Sequence, residues 1–247
     1  MAESDFLAVK RAIPAPVKDF LKTKVLPRLR TDLRTTDEEK ILGRKGFILE
    51  TFSAAIRPIW GAFSVDDAMH FSTVLNMQRM YGIAGDILEI GTSFGRSAAL
   101  IGMWVGPEER LHLCDAFDLP TEDSYRSKPT PEIVIGNVTR ASAITPEQIV
   151  IHRCLSDDLA LDPGRTFRFI HIDVGHSDDQ VHKDLGLALR HSVHGTIIVV
   201  DDYDHPGWPG VKTGTDRFLH EHERLRVLVD LNRHGERGRK LYLFVGA

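Results

Sequence analysis

Two apolar runs in the second half of the chain each stop on acid. The first is residues 169–173, which ends on Asp173 with His176 three positions further on; the second is residues 196–200, followed by Asp201 and Asp202. Each run is short, rich in β-branched residues and bounded by polar or glycine residues, which is typical of a buried parallel strand. Ligands of open α/β sheets bind outside the carboxyl ends of the strands. These groups therefore predict a hard divalent cation with a base beside it.

A glycine-containing turn lies earlier in the chain. Gly91 permits a tight turn and the close approach of a ligand, and Gly95 lets the next helix begin close to the strand. The G-x-x-x-G spacing differs from that of dinucleotide folds, and the absence of a following G-K-[ST] argues against a nucleoside triphosphate. Asp115 ends the next strand candidate, where an acid is suited to hydrogen-bond a ribose diol. A plain turn with a solvated aspartate is the alternative, but Glu89 and the terminal hairpin described below favour cofactor binding.

Alternating strands and helices position these groups. Strand candidates are residues 87–90, 111–114, 149–152, 167–173 and 196–201, and helix candidates are residues 97–104, 180–191 and 212–223. This alternation implies a mostly parallel sheet with helices on both sides. Two last strand candidates, residues 226–231 and 240–245, flank a glycine-rich polar turn and predict a hairpin. The expected fold class is α/β, with a doubly wound, mostly parallel seven-stranded sheet and an antiparallel last strand.

The first 80 residues look helical and contain no clear strand. They predict an N-terminal helical extension, residues 1–80, ahead of a cofactor-binding core, residues 81–247. Helix starts are indicated by a capping box at residues 36–39 and by a second capping sequence at residues 64–67. The apolar faces of these helices need a partner. The extension is therefore expected either to cover the site or to form the interface of a homo-oligomer.

Composition limits the classes of protein to consider. A chain of 247 residues with 42% hydrophobic content fits one large domain, or one domain with an appendage. The net charge of −4 gives no reason to expect nucleic acid or an anionic membrane as a partner. Cys114 and Cys154 are expected to be free thiols in a reducing compartment. Neither a signal peptide nor a transmembrane run is visible, so a soluble cytoplasmic protein is expected.

The glycine loop and the acids together resemble a known family. Glu89-x-Gly91-x-x-x-Gly95 with Asp115 resembles the S-adenosylmethionine site of class I methyltransferases, whose Rossmann-like fold also ends in a reversed strand. The resemblance covers residues 45–247. The two acid-ended strands are similar to those of the metal-dependent O-methyltransferases that modify macrolide sugars and other antibiotic glycosides, and of related cephalosporin-type methylating enzymes. This implies methylation of a hydroxyl of a small molecule, such as a sugar, a glycoside or another secondary metabolite.

The resemblance also assigns roles to individual residues. It implies that the cofactor is bound by Glu89, Gly91, Gly95, Ser97, Asp115, Ser156 and Asp157. It implies that Mg²⁺ is bound by Asp173, Asp201 and Asp202 and that His176 is the catalytic base. Magnesium prefers oxygen ligands and favours an ionised acceptor hydroxyl, and an imidazole titrates near neutral pH. Val174 is a departure, since relatives often have glycine there, but it changes a backbone position and not a ligand.

Several residues near the site have a structural interpretation instead. Residues 177–179 are predicted to cap the following helix. His171 is treated as one of several scattered histidines, and residues 220–222 do not have the spacing of a zinc site. Trp208 either faces a substrate ring or packs in a rigid connector.

Three functional alternatives stay open beside the metal-dependent enzyme. They are a metal-independent methyltransferase, a non-catalytic S-adenosylmethionine-binding subunit and a nicotinamide oxidoreductase. The glycine spacing and the terminal hairpin argue against the last of these.

Overall fold

A computed structural model describes residues 47–120, 128–233 and 238–247 of the chain. The chain divides into two compact units, Met1–Phe47 and Ile48–Ala247, and nearly all the described residues belong to the second. The capping box predicted at residues 36–39 lies outside the described residues. The functional division predicted between residues 80 and 81 stays a prediction.

A seven-stranded sheet forms the centre of the second unit. Its strands are β1 (Asp86–Ile90), β2 (Leu111–Asp115), β3 (Ile149–Arg153), β4 (Phe167–Ile172), β5 (Ser192–Tyr203), β6 (Leu225–Asn232) and β7 (Arg239–Val245). Their order across the sheet is β3-β2-β1-β4-β5-β7-β6. β1 to β5 pair in parallel, whereas β7 runs antiparallel to both β5 and β6. The predicted α/β fold, with its mostly parallel sheet and reversed last strand, is therefore confirmed.

Helices cover both faces of this sheet. They are α1 (Val65–Met80), α2 (Arg96–Gly102), α3 (Pro131–Ala141), α4 (Asp178–Arg190) and α5 (Pro209–Glu221), and a π-helical turn spans Phe52–Ile56. Residues of the π-helical turn and of α1, α2 and α3 pack on one face of the sheet, and residues of α4 and α5 pack on the other. Because successive side chains of a strand point to opposite faces of the sheet, neighbouring residues of each central strand belong to two different apolar cores.

The start of α1 follows the predicted capping chemistry. The Ser64 hydroxyl accepts a hydrogen bond from the backbone N–H of Asp67, and the Asp67 carboxylate accepts one from the backbone N–H of Ser64. This reciprocal pair satisfies N–H groups that the first helical turn leaves unbonded. It also fixes the Asp67 carboxylate at the buried end of α1.

Helix α3 was missed from the sequence. Its apolar residues are largely β-branched, and Gly136 interrupts them, so the segment lacks a strong helical signal. Its buried residues are Val134 and Val138, one helical turn apart, and these pack beside Gly95. Tertiary packing against the glycine loop at Gly95 therefore decides this helix.

Two further sequence predictions concern the cysteines and the membrane. Cys114 and Cys154 are both free, as expected, although their Sγ atoms lie 3.9 Å apart, the first in β2 and the second directly after β3. Within the described part of the chain, no helix combines the length and the apolar character that a membrane crossing requires.

Candidate active site

The glycine loop after β1 lies directly against the end of β4. Gly91 has a φ of 89°, and a Cβ there would overlap the Asp173 carbonyl oxygen and lie 2.6 Å from its carbonyl carbon. The backbone N–H of Asp173 donates to the Ile90 carbonyl at 2.8 Å. Gly95, with a φ of 81°, begins α2 where a Cβ would lie 3.0 Å from Val134. The absence of a side chain thus lets Gly91 lie against Asp173 and lets Gly95 lie against Val134.

Asp115 braces this loop from the end of β2. One carboxylate oxygen accepts the Ser93 N–H at 2.7 Å, and the other accepts the Phe117 N–H at 2.9 Å. Ser93 itself has a φ of 47°, so the brace holds a backbone that a serine rarely adopts. Each carboxylate oxygen still has a second lone pair for a ribose hydroxyl. Ser97 lies buried in the first turn of α2.

Glu89 is the innermost of the predicted cofactor residues. It is fully buried, and its Oε1 lies 2.9 Å from Nδ1 of His171. Its Oε2 has no hydrogen-bond partner among the described residues. A buried unpaired carboxylate oxygen is costly unless a ligand supplies a donor. The ammonium group of S-adenosylmethionine is such a donor, so this part of the chain fits the expected cofactor.

Ser156 and Asp157 lie in a short 3₁₀ turn after β3 and differ in their surroundings. The Ser156 hydroxyl accepts a hydrogen bond from Gln180 at 2.8 Å and donates one to Asp184 at 3.4 Å. Asp157 is exposed and pairs with Lys183 at 3.0 Å. Burial is the main reason why the pKa of Asp184 is raised to about 6. The adenine contact implied for Ser156 and Asp157 stays a prediction.

His176 lies between an acid and an aromatic ring. Its Nε2 is 3.6 Å from the Asp202 carboxylate, and its ring stacks on Trp208 with centroids 4.0 Å apart and planes 21° apart. Asp202 has a φ of 55° and lies where the register between β5 and β7 shifts. The structure therefore brings His176 and Asp202 together, and Trp208 packs on the imidazole ring.

Two glycines of α5 hold the loop that carries His176. A Cβ on Gly210 would lie 2.5 Å from the His176 carbonyl oxygen, and a Cβ on Gly214 would overlap the Asp178 carbonyl. These glycines are one helical turn apart and lie on the same side of α5. This side of the helix, which has no side chain at either position, packs on the backbone of residues 176–178. The predicted cap is present as well, because the Ser177 hydroxyl accepts the Gln180 N–H at 3.3 Å.

Asp201 points to the opposite face of the sheet and is buried among cations. Its Oδ2 contacts the ammonium of Lys240, and its Oδ1 accepts a hydrogen bond from Arg233 at 3.0 Å and another from the Asp202 N–H at 2.8 Å. Arg233 also lies 3.3 Å from Asp67 at the start of α1. Burial opposes ionisation of Asp201, but Lys240, His171 and Arg233 together outweigh it and lower the pKa of this carboxyl.

Asp173 completes a small cluster with His171 and Asp201. One potential ligand atom from each of the three lies within 4.8 Å of the others, and Asp173 is the exposed member. Partial desolvation by the surrounding protein, followed by the charge of Asp201, raises the pKa of Asp173 above its usual value. Lys240 Nζ lies 3.3 Å from the His171 imidazole, so the same cluster already contains an ammonium group.

The predicted magnesium set fits this arrangement poorly. Asp173 and Asp201 approach each other, but Asp202 is absent from their cluster and faces His176. Both oxygens of Asp201 already have positively charged partners, Lys240 and Arg233. A divalent ion added there would have to displace a buried ammonium or be repelled by it.

Sequence reasoning missed three of these site residues. His171 was grouped with scattered histidines, yet it joins Glu89 to the Asp201 cluster. Lys240 had one available signal, since the alternation of β7 places it on the same face as the buried Tyr242. Arg233 follows β6 and had none, because its acidic partners, Asp67 and Asp201, are more than thirty residues away in sequence.

Comparison with known proteins agrees with this geometry. Residues 88–203 match the family described as a methyltransferase domain. No curated protein matches the chain. Many solved structures resemble it, among them three at 19–20% sequence identity, a level that shows the fold.

The first is a putative O-methyltransferase from Klebsiella pneumoniae, at 19% identity, with 82% of this chain and 90% of that chain covered and a TM-score of 0.59. The second is TomG of Streptomyces achromogenes, an O-methyltransferase involved in tomaymycin synthesis and solved with S-adenosylmethionine, at 20% identity, 75% and 82% coverage and a TM-score of 0.55. The third is CalS11, a TDP-rhamnose 3'-O-methyltransferase of calicheamicin biosynthesis, at 19% identity, 96% and 97% coverage and a TM-score of 0.52.

The family match spans the glycine loop, Asp115, the Asp173–His176 turn and the Asp201–Asp202 pair. These are the elements that form the site described above. Residues 88–203 therefore match a methyltransferase domain, and the chain has the fold of the class I S-adenosylmethionine-dependent methyltransferases.

Proposed function

We propose that the protein is an O-methyltransferase that acts on a hydroxyl of a small molecule and uses His176 as its general base. The observation that supports this most directly is the placement of His176 against Asp202 and Trp208. That group lies at the carboxyl ends of β4 and β5, beside the loop that fits the cofactor. A base at this edge can reach an acceptor oxygen placed next to a transferable methyl.

The residues of the chain divide the work of methyl transfer. Bound S-adenosylmethionine supplies an electrophilic methyl group. The Trp208 ring restricts the tilt of the imidazole, and the Asp202 carboxylate faces Nε2 and stabilises the imidazolium that forms. Nδ1 of His176 would accept the hydroxyl proton of the acceptor, whose oxygen would take the methyl group while S-adenosylhomocysteine leaves. Positioning of the two reactants supplies the rest of the acceleration.

The structural neighbours suggest where to look for the acceptor. CalS11 acts on TDP-rhamnose, and TomG takes part in tomaymycin synthesis. We therefore propose a sugar, a glycoside or another secondary metabolite as the acceptor class. Homo-oligomer formation and a cytoplasmic location stay predictions from the sequence.

The proposal is tested with a His176→Ala variant. Purified enzyme is assayed for S-adenosylhomocysteine formation against nucleoside-diphosphate sugars, glycosides and catechols. With the best acceptor, we expect His176→Ala to lower kcat by about 10²–10⁴, the usual contribution of a general base. Cofactor affinity, measured by calorimetry, should change less than about twofold, because the imidazole has no role in the cofactor cradle.

His205→Ala is the matched control. His205 also stacks on Trp208, at 6.0 Å between centroids, but no carboxylate among the described residues pairs with it. Its kcat should stay within about twofold of wild type. Unchanged turnover in His176→Ala would remove this base, and cofactor binding without turnover of any acceptor would favour a non-catalytic binding subunit.

Magnesium dependence is kept separate from this proposal. The sequence predicts Mg²⁺ at Asp173, Asp201 and Asp202. However, Asp201 pairs with Arg233 and Lys240, and Asp202 faces His176. The proposed transfer of the hydroxyl proton therefore uses His176 and Asp202 and no metal ion. Turnover measured in chelator and after addition of Mg²⁺ tests the remaining prediction directly.

A further inference from the structure

The polar cluster between β4, β5 and β7 contains its own cation. The strands align Ile172 with Val200 and Val200 with Leu241, so that Asp173, Asp201 and Lys240 occupy neighbouring positions of one row. Lys240 is fully buried, and its ammonium contacts Asp201 and lies 3.3 Å from His171. We infer that Lys240, with Arg233, is the resident counter-charge of Asp201 and that it excludes a divalent metal from these carboxylates.

Lys240 is held in place by its whole environment. The faces of Phe63 and Phe71 lie 5.9 Å and 5.7 Å from its Nζ, so aromatic rings cover the ammonium on the α1 side. Burial by itself would lower the pKa of Lys240, but the carboxylate of Asp201, followed by others nearby, raises it. The side chain therefore stays charged where it contacts Asp201.

Arg233 adds a second cation to the pair of Lys240 and Asp201 and joins it to Asp67. Two carboxylates, Asp67 and Asp201, face two cations, Lys240 and Arg233, and all four are buried. Charge removed from one member leaves another uncompensated in a poorly hydrated place, which is strongly destabilising. The group also joins the start of α1 to the end of β5, so these residues act by positioning.

Metal binding alone gives the first test, because it needs neither cofactor nor acceptor. Mn²⁺ is titrated into the full chain and followed by electron paramagnetic resonance. We expect Lys240→Met to bind Mn²⁺ at least roughly tenfold more tightly than wild type, since the neutral side chain frees Asp201. At the concentrations at which the variant binds the ion, wild type should leave Mn²⁺ free. Adding Asp173→Asn to Lys240→Met should abolish the gain, which places the ion at this cluster.

The sign of a stability change gives the second test. Asp201→Asn removes the partner of two buried cations, so the melting temperature in chelator should fall by roughly 10 °C. If Asp201 were instead an unpaired carboxylate that binds a metal together with Asp173, Asp201→Asn should raise the melting temperature in chelator. The substitution would then relieve the repulsion between the two carboxylates. The neighbouring Asp202→Asn is the control, and its melting temperature should change by less than about 3 °C.

Each result decides for or against the inference. Binding of Mn²⁺ by wild type that Asp173→Asn abolishes would overturn it, as would the absence of any gain in Lys240→Met. If Lys240→Met does not fold, Asp201→Asn decides: a fall in melting temperature supports the resident cation, and a rise or no change refutes it. The consequence that methyl transfer proceeds without metal rests on the proposed function. Failure of that function would appear separately, as loss of cofactor binding or turnover in wild type.

Discussion

Replacement of Gly91 by alanine is expected to abolish cofactor binding at ordinary concentrations. The new Cβ would overlap the Asp173 carbonyl, and the φ of 89° is one that alanine rarely adopts. Left-handed backbone costs about 1–2 kcal/mol and overpacking about 1–3 kcal/mol, so the loop should leave its native position. We expect the affinity for S-adenosylmethionine, measured by calorimetry, to fall by at least about 100-fold, or ~2.7 kcal/mol.

Gly136→Ala is the control for this change. Gly136 lies in α3, and a Cβ there would meet nothing within 4 Å. Alanine is the better helix former, so the variant should be more stable by about 0.5–1 kcal/mol with unchanged cofactor affinity. Normal cofactor affinity in Gly91→Ala would show that the loop does not need its close approach to β4.

Replacement of Glu109 by alanine is expected to be the most destabilising single change away from the site. Glu109 makes a two-pronged contact with Arg168, at 2.7 Å and 2.8 Å, and Arg168 is fully buried in β4. The other partners of Arg168, Gln78 and the Trp104 carbonyl, are neutral. A buried guanidinium without its carboxylate costs about 3–5 kcal/mol, so thermal unfolding should begin roughly 10 °C lower.

An exposed ion pair of similar geometry provides the comparison. Arg153 and Asp118 lie 2.8 Å apart, but about half of each side chain is in solvent. Water screens such a pair, so Asp118→Ala should cost less than about 1 kcal/mol. Equal losses in the two variants would show that Arg168 is not the buried, dependent partner that the structure describes.

Much of the site could be predicted because its signals are local in the chain. A few consecutive residues are enough to recognise each of these signals. They are the turn at Gly91 and Gly95, the acid at Asp115 and the acid-ended strands. Parallel strands place their carboxyl ends at one edge, so the approach of Asp173 and Asp201 followed from the alternation of strands and helices.

The partners of these acids could not be predicted in the same way. Asp201 and Asp202 are adjacent in sequence, but they face opposite groups, because successive strand residues alternate and Asp202 adopts a left-handed backbone. Lys240 and Arg233 reach Asp201 only after the hairpin folds back beside β5.

The sequence by itself determined the fold class, the cofactor loop and the edge of the sheet at which methyl transfer is expected. Periodicity and turn chemistry are local properties, which is why they can be read along the chain. Only the tertiary structure decided that Asp202 faces His176 and that a buried lysine pairs with Asp201. Charge compensation depends on which side chains meet in space, and β7 brings Lys240 to Asp201 from 39 residues further along the chain.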